Sequence, residues 1–327
     1  MKLATFQQSD TARLGVVHDA DTRLFDLASA ATKDGEPEPA FASMLDLIDA
    51  GPAALDRARE LVRRHGDDAE FSRPLTEIEL LAPVPEPRQM RDAMLFPTHI
   101  RQAPRGVQRL IARARGDEAA AAAAKALPEL APLYRQRPIY YFTNRYSVSG
   151  PGATVRWPRY SKVMDFELEF GVFLGKTGTD IPVSKACEHI FGYTIYNDFS
   201  ARDAQMNEMP AMLGPTKGKS FQGGNALGPW IVTPDEIPDA RALAVEVRVN
   251  GKTWSKNTTA EMLFTFEEII AFISGDETLH AGEFIGSGTV GNCCGLELDR
   301  YLKHGDEIEL EVERIGVLRN KVIRQDV

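Results

Sequence analysis

Three acidic residues at alternate positions carry the strongest chemical signal in this sequence. Asp165, Glu167 and Glu169 would lie on one face of a β-strand, because side chains point alternately to the two faces of an extended chain. Three carboxylates on one face repel one another unless a cation lies between them, and carboxylate oxygens suit a hard divalent ion. The same alternation is also typical of a solvent-exposed strand, so the pattern alone leaves both interpretations open.

A second acidic ladder near the C terminus serves as an internal control. It alternates with apolar residues and leads into a basic stretch, which indicates a solvated strand: Glu307, Glu309, Glu311 and Glu313. The first ladder runs instead into the uncharged sequence GVFLG, which is typical of a strand buried on both faces. Carboxylates at the start of a buried strand cost free energy unless they are paired or coordinated, so the first ladder is the better metal candidate.

Other polar residues stand where a strand end or a turn would present them. Asp198 closes the strand-like sequence GYTIYND, although a plain turn aspartate is the alternative. Ser200 and Asp203 fit a capping box that opens a helix. His99 follows Asp92 by seven residues. Histidine is the usual proton carrier near neutral pH, but a lone histidine is more often a packed or surface residue.

The remaining chemical features are weaker. Lys219 lies in the glycine-rich sequence PTKGKSFQGGN, which indicates a close backbone approach but lacks the G-x-x-x-x-G-K-[ST] phosphate-binding pattern. The three cysteines, Cys187, Cys293 and Cys294, cannot build a disulfide framework or a four-cysteine zinc site. No basic residue stands near the vicinal pair in sequence, so we interpret Cys293 and Cys294 as buried packing residues.

The composition limits the class of protein. The chain has 327 residues, of which 43% are hydrophobic and 26% charged, as in ordinary globular proteins. No apolar run approaches the ~20 residues of a membrane-spanning helix, and the N terminus does not resemble a signal peptide. A net charge of −9 argues against nucleic acid as a partner. With few cysteines, these features predict a cytoplasmic protein that binds neither membrane nor nucleic acid.

Two unequal parts are predicted to position these residues. Residues 1–75 read as a small α+β domain, with short strands followed by helices in FASMLDLIDAG and PAALDRARELVRR. Residues 76–87 form a proline-rich connector. Residues 88–327 form the larger part, in which strands dominate, an Asn250-Gly251 turn indicates a hairpin, and AEMLFTFEEIIAFISG predicts a helix. An alanine-rich helical insertion over 103–135 is a surface excursion or a lid.

From about residue 80 to residue 327, the sequence resembles the fumarylacetoacetate hydrolase family. The resemblance rests on an ordered set of motifs: Asp92 with His99, the first acidic ladder, GYTIYNDFSARD, GPTKGKSF, GSGTVGNCCGLEL and HGDEIELEVERIGVLRN. It implies an α+β, β-rich fold, with a mixed β-roll or β-sandwich catalytic domain behind a small N-terminal domain. It also implies a homodimer that binds Mg²⁺ or Mn²⁺, with Ca²⁺ as a further possibility.

The same resemblance assigns roles to individual residues. Its metal ligands correspond to Asp92, Glu167, Glu169 and Asp198. The family's water-activating histidine corresponds to His99, and the glutamate that assists it corresponds to Glu297. The family's charge-stabilising residues correspond to Lys219 and Arg202. Its substrate contacts correspond to Gln205, Thr289 and, more loosely, Tyr141. Met94 and Met209 stand where the animal enzyme has tyrosines, which favours a more apolar acyl tail than that of fumarylacetoacetate.

These observations predict a metal-dependent hydrolase that cleaves a C–C bond in an acylpyruvate or related β-diketone acid, in the catabolism of aromatic compounds or amino acids. Oxaloacetate-type decarboxylation and keto–enol isomerisation are the alternatives within the family. His99 with Glu297 favours hydrolysis, because a paired base is superfluous for simple decarboxylation. Outside enzymes, the alternative is a metabolite-binding protein that uses the same pocket without catalysis.

Overall fold

The N-terminal quarter of the chain folds as the sequence patterns predict. The computed structural model describes residues 1–324, so the last three residues of the predicted catalytic part lie outside the described residues. The first strands and helices are β1 Lys2–Gln8, β2 Thr11–His18, β3 Arg23–Asp26, α1 Leu27–Lys33, α2 Met44–Ala50, α3 Pro52–His65, β4 Ser72–Pro74 and β5 Glu79–Leu80. Gly51 ends α2 with a φ of 73°, and Pro52 opens α3, as predicted.

The larger part contains most of the strands. They are β6 Met90–Ala93, β7 Tyr140–Phe142, β8 Val148–Ser149, β9 Thr154–Trp157, β10 Met164–Asp165, β11 Leu168–Leu174, β12 Ile190–Asp198, β13 Ser200–Ala201, β14 Asn225–Val232, β15 Ala244–Val249, β16 Lys252–Thr258, β17 Phe284–Gly286, β18 Glu307–Val312 and β19 Gly316–Arg324. The helices are α4 Pro97–Ala114, α5 Glu118–Ala123, α6 Leu133–Gln136, α7 Val183–Ala186, α8 Arg202–Glu208, α9 Phe266–Ile273 and α10 Gly295–Leu298.

Two main sheets organise these strands. The larger sheet runs in the order β4-β3-β2-β1-β14-β12-β11-β17-β6-β7, with β5 beside β1 and β8 beside β14. The smaller sheet runs β16-β15-β18-β19-β9, and β10 pairs with β13 separately. Neither of the two described sheets closes into a barrel, and helices accompany both. The predicted β-rich α+β class is therefore confirmed.

The larger sheet continues across the predicted connector. Strand β1 pairs with β2 on one side and with β14 on the other, through Lys2 opposite Val232 and Leu3 opposite Ile231. Within the connector, β5 also pairs with β1. The division into residues 1–75 and 88–327 remains a prediction about folding units, because backbone hydrogen bonds join the two parts in one sheet.

The centre of the larger sheet is buried on both faces. Every residue of β11 and β12 is buried, including the GVFL that follows the acidic ladder, whereas the next residue, Gly175, lies beyond β11 and is half-buried. The second ladder behaves as the control predicted, because Arg248 pairs with Glu309 and Glu311 on the outer face of the smaller sheet. The two acidic ladders thus differ in burial, as the residues that follow each ladder indicated.

Two local predictions need correction. Helix α9 begins only at Phe266, where Thr265 and Glu268 form a capping box. The preceding residues of AEMLFT are not α-helical, and Ala260 and Glu261 belong to a short 3₁₀ helix, Thr259–Glu261. The predicted capping box of Ser200 and Asp203 is wrong. The Ser200 hydroxyl donates to the carbonyl of Asp198, and the Asp203 carboxylate accepts hydrogen bonds from the Ser161 hydroxyl and the Lys162 backbone instead. Ser200 is thus held by a neighbouring carbonyl, and Asp203 by residues distant in the sequence.

The predicted insertion over 103–135 begins inside a helix rather than at a loop. Helix α4 starts at Pro97 and carries His99 in its first turn, and the shorter helices α5 and α6 follow. Pro104 lies within α4, where it cannot donate a backbone hydrogen bond. The hairpin turn at Asn250 and Gly251 is confirmed, with φ angles of 51° and 71°. Among the described residues, no helix is long and apolar enough to cross a membrane.

Candidate active site

Three strands of the larger sheet bring three carboxylates together. Asp92 lies on β6, Glu169 on β11 and Asp198 at the end of β12. Strand β17 runs between β11 and β6, and its Gly286 pairs with Asp92. A Cβ atom at Gly286 would lie 2.6 Å from Asp92 Oδ1, so glycine leaves the space that this carboxylate occupies. The sheet order, not the sequence spacing, creates the cluster.

We call Asp92, Glu169 and Asp198 the acidic trio. Their carboxylate oxygens lie within 4.8 Å of one another, and all three side chains are buried. Glu169 Oε2 and Asp198 Oδ1 have no hydrogen-bond partner, which is costly for buried oxygens. An oxygen-only donor set with unpartnered buried atoms fits a divalent cation such as Mg²⁺ or Mn²⁺.

The pKa values of the acidic trio reflect three carboxylates crowded together in a buried place. Burial, reinforced by the nearby Asp198 carboxylate, raises the pKa of Asp92 to about 7. Burial and its two acidic neighbours raise the pKa of Glu169 well above its ordinary value. The pKa of Asp198 is also raised by burial, although the Lys219 ammonium opposes the shift. The trio therefore holds protons more tightly than exposed carboxylates do, and a bound cation would replace them.

Glu167 lies beside the acidic trio and pairs with two cations. Its carboxylate pairs with Arg202 at 2.7 Å and with Lys219, which also lies 2.6 Å from Asp198 Oδ2. Although burial opposes the shift, the two cations hold the pKa of Glu167 well below its usual range. The role of Glu167 as a metal ligand remains a prediction, since its charge is already balanced by side chains.

Asp165 does not share the face of Glu169, which corrects the predicted three-carboxylate ladder. Strand β10 ends at Asp165 and β11 begins only at Leu168, so the alternation is interrupted between them. The Asp165 carboxylate accepts hydrogen bonds from the backbone of Gly295 and Leu296 at the start of α10, and from Arg202 Nε at 2.7 Å. It holds α10 and the guanidinium in place.

His99 and Glu297 lie next to each other, as the family resemblance implied. His99 Nδ1 is 3.4 Å from Glu297 Oε2, and His99 Nε2 is 3.9 Å from Glu167 Oε1. Helices α4 and α10, which carry the pair, pack closely at Gly106, where a Cβ atom would lie 2.3 Å from the carbonyl oxygen of Leu296. Burial alone would lower the pKa of His99, but the Glu297 carboxylate outweighs it and raises that pKa.

The predicted substrate residues divide into two groups. Tyr141 donates a hydrogen bond to Asp198 Oδ2 at 2.9 Å, and Thr289 donates to Glu169 Oε1 at 3.3 Å. Gln205 accepts a hydrogen bond from Arg202 Nη1 at 2.9 Å. Met94 and Met209 are instead 37% and 47% exposed, so they lie at the surface and contact none of these polar groups through a hydrogen bond. The polar residues are thus hydrogen-bonded to the carboxylates or to Arg202. That the two methionines line a substrate pocket remains a prediction.

Sequence reasoning missed the role of Cys294. The thiol was interpreted as packing, and it is buried, but Sγ lies 3.2 Å from Glu297 Oε2 and 3.8 Å from His99 Nδ1. The one available signal was its position three residues before Glu297, close to one helical turn away. Cys293 fits the packing interpretation better, because its Sγ reaches only the Ser255 hydroxyl at 3.7 Å.

The fold places the acidic trio, whose oxygens could hold a metal ion, beside a histidine–glutamate pair. The family model for the C-terminal domain of fumarylacetoacetate (FAA) hydrolase matches residues 109–323, and the chain belongs to this family. It is also 30% identical to the oxaloacetate tautomerase YisK of Bacillus subtilis (strain 168), over 98% of this chain and 100% of that protein. The resemblance seen in the motifs, and with it the mixed β-roll fold, is confirmed.

Solved structures support the same conclusion. The fumarylacetoacetate hydrolase of the psychrophile Exiguobacterium antarcticum superposes with a TM-score of 0.73 at 28% identity, over 99% of this chain and 100% of that one. A maleylpyruvate hydrolase from Sphingobium sp. SYK-6, solved with a manganese(II) ion and pyruvate, has a TM-score of 0.71 at 21% identity, with both chains fully covered. At 21% identity, the comparison with the maleylpyruvate hydrolase shows a common fold and nothing about activity.

Proposed function

We propose that the protein is a divalent-metal-dependent hydrolase that cleaves a C–C bond in an acylpyruvate or related β-diketone acid. The observation that carries this proposal is the buried His99–Glu297 pair beside the acidic trio. Hydrolysis needs a base for an attacking water, and a histidine oriented by a carboxylate is suited to that task.

The acidic trio would hold the cation, Mg²⁺ or Mn²⁺ in the first place and Ca²⁺ as a further possibility, with Glu167 as the predicted fourth ligand. When bound, such an ion polarises the carbonyl oxygens of a dicarbonyl substrate. The unpartnered oxygens of Glu169 and Asp198 support this assignment. Tyr141 and Thr289 would orient the carboxylates through the hydrogen bonds they donate to Asp198 and Glu169.

His99 would accept the proton of the attacking water. Its Nδ1 faces Glu297, which leaves Nε2 on the side of Glu167. Lys219 and Arg202 are the two buried cations of the site, and both lie against Glu167. They would stabilise the negative charge that develops on the leaving enolate, because fixed cations act strongly where water is excluded.

A second candidate function is supported by a specific observation. The Bacillus subtilis relative, which this chain matches over nearly its whole length, is an oxaloacetate tautomerase. Keto–enol tautomerisation of an oxaloacetate-type acid would use the same cation site and the same base, but no attacking water. Decarboxylation of such an acid is the further alternative, and a metabolite-binding protein without catalysis is the non-enzyme alternative.

The deciding experiment identifies products. The protein would be incubated with Mg²⁺ or Mn²⁺ and either oxaloacetate or acylpyruvates of increasing tail length, while the enol absorbance is followed. Hydrolysis yields a carboxylic acid together with pyruvate, whereas tautomerisation changes the absorbance without changing the mass. Carbon dioxide release would indicate decarboxylation. Metal-loaded protein that binds these acids without converting them would contradict every enzymatic candidate.

Met94 and Met209 bear on which acyl tail the substrate carries. If Met94 and Met209 line the acyl pocket, each buried methylene of a longer tail contributes up to ~0.8 kcal/mol, so kcat/KM rises severalfold per methylene until the pocket is full. A carboxylate-ended tail gains nothing comparable, because a thioether is no hydrogen-bond donor. A clear preference for fumarylpyruvate over an aliphatic acylpyruvate of similar length would contradict this role of the methionines.

We also propose a cytoplasmic homodimer that acts on a small dicarbonyl acid and binds neither membrane nor nucleic acid. The expectation of a dimer comes from the family resemblance. Light scattering coupled to gel filtration measures the mass directly, and a mass of about one chain, 36.1 kDa, at micromolar concentration would contradict the dimer.

A further inference from the structure

A second group of potential metal ligands lies beside the acidic trio. Cys294, His99 and Glu297 form what we call the thiol cluster, and all three side chains are buried. The pairwise distances are 3.2 Å from Cys294 Sγ to Glu297 Oε2, 3.4 Å from Glu297 Oε2 to His99 Nδ1, and 3.8 Å from Cys294 Sγ to His99 Nδ1. The proposed hydrolysis uses the histidine and the carboxylate but gives no role to the thiol.

The separations of the three donor atoms suit one tetrahedral metal ion. The backbone N–H of Asn292 holds Glu297 Oε1 at 3.0 Å, so Oε2 is the oxygen left for Cys294 and His99. In a tetrahedral zinc site, metal–ligand bonds of about 2.3 Å to sulfur and about 2.0–2.2 Å to nitrogen or oxygen place the ligand atoms about 3.3–3.6 Å apart. The observed triangle matches these separations to within a few tenths of an ångström.

The donor types separate the two sites chemically. The thiol cluster offers sulfur, nitrogen and oxygen, a set that suits zinc and that Mg²⁺ does not select. The acidic trio offers oxygen alone. Charge also balances in the thiol cluster, because a thiolate and a carboxylate neutralise one divalent ion in a buried place. The nearby Arg202 does not oppose this, since Asp165 and Glu167 already pair with it.

We infer that the thiol cluster is an inhibitory zinc site, in which Cys294 Sγ, His99 Nδ1 and Glu297 Oε2 bind one Zn²⁺. On binding, the thiol of Cys294 releases its proton to solvent. His99 coordinates through Nδ1 as the neutral imidazole that carries its proton on Nε2, so a proton held at Nδ1 moves to Nε2 or, from the imidazolium, to solvent. A water molecule completes the tetrahedron. The ion then separates His99 from Glu297. Inhibition of turnover rests on the proposed function, in which His99 is the base, whereas binding of the metal does not.

The test uses the full-length protein with Mg²⁺ in excess to occupy the acidic trio. Co²⁺ is then titrated as a spectroscopic probe for zinc. Wild-type protein is expected to develop a near-ultraviolet thiolate-to-cobalt band and visible tetrahedral bands at one equivalent, and Zn²⁺ should abolish them. Cys294→Ser should lose the thiolate band, and the matched control Cys293→Ser, which changes the neighbouring buried thiol, should retain it.

Turnover supplies an independent readout. The Zn²⁺ concentration that halves the rate, relative to the zinc-free rate of the same variant, should rise at least about tenfold in Cys294→Ser and stay unchanged in Cys293→Ser. A wild-type titration without a thiolate band overturns the inference and needs no variant to fold. A band that persists in Cys294→Ser also overturns it. A band without inhibition supports the site and contradicts the role of His99 as the base.

Discussion

At the scale of single residues, Glu169 and Glu309 are two glutamates from similar acidic ladders with different surroundings. Glu169 is buried with an unpartnered oxygen, whereas Glu309 pairs with Arg248 and Arg319 near the surface. We expect Glu169→Gln to lower the affinity for Mn²⁺ by at least about tenfold, because the neutral amide is a weaker ligand. The matched Glu309→Gln variant should bind Mn²⁺ as the wild type does. Isothermal titration calorimetry measures both, and equal loss in the two variants would contradict the site.

Metal binding should also depend on pH. Because burial raises the pKa of Asp92 to about 7, this carboxyl is protonated below that pH and must lose its proton when a cation binds. The affinity for Mn²⁺ should therefore fall by at least about tenfold per pH unit below about pH 7.

The free energy of unfolding of the metal-free protein should fall as the pH rises, whereas the affinity for Mn²⁺ should rise. A carboxyl whose pKa is raised by folding contributes stability that is complete below its unfolded pKa and is lost as the pH rises through about 7. The raised pKa of His99 acts with the same sign. Thermal unfolding with and without Mn²⁺ across this range checks the prediction, and an increase in metal-free stability through pH 7 would contradict it.

The division of labour between His99 and the acidic trio predicts a separable defect. His99→Ala should lower kcat by about 10²–10⁴-fold, the usual contribution of a general base. The affinity for Mn²⁺ should change little, because His99 is not one of the trio. His280→Ala, which alters an exposed histidine, is the control for kcat. If His99→Ala loses its Mn²⁺ instead, the assigned roles are wrong.

At the scale of elements, helix α4 joins the catalytic base to the predicted lid. His99 lies in its first turn and packs near Glu297, while the predicted lid, residues 103–135, begins four residues later. Pro104 removes one backbone hydrogen bond inside the helix, which makes this the natural place for the helix to bend.

We expect residues 103–135 to exchange amide hydrogens faster without ligand and to be protected when oxalate or pyruvate binds together with Mg²⁺. The first turn of α4 should change less, because the Glu297 contact already holds it. Helix α3 provides the control, since its exchange should be the same in both states. Equal protection of residues 103–135 with and without ligand would show that the segment is a surface helix and not a lid.

At the scale of the whole molecule, the continuous sheet predicts cooperative unfolding. Strand β1 is hydrogen-bonded to β14, and Ala4 and Phe6 belong to the same apolar cluster as the central strands β11 and β12. Separating the N-terminal part would therefore expose both a sheet edge and core side chains.

Differential scanning calorimetry should show one transition, with a calorimetric enthalpy equal to the van't Hoff enthalpy. The measurement is best made with Mn²⁺ bound, so that metal loss does not add a second step. Two resolved transitions would contradict the prediction and would support residues 1–75 and 88–327 as separate folding units.

The sequence by itself determined the elements whose signal is local. Helices α2 and α3, the hairpin at Asn250 and the buried strand β11 all follow from periodicity, turn residues and apolar runs over a few positions. The ordered motifs were sufficient to indicate the family, because their residue types and order are specific even where each motif alone is weak.

Only the tertiary structure decided which polar groups meet. Asp165 follows the same alternation as Glu169 yet caps α10, because the strand is interrupted between them. Arg202 and Lys219, which neutralise Glu167, are 35 and 52 residues away from it in the sequence. Cys294 and His99 are in contact although 195 residues separate them in the sequence. Such contacts depend on sheet order and helix packing, which bring together residues that are distant in the chain. Local propensity does not indicate which distant residues come together, so the sequence patterns could not predict how the charges of the site balance.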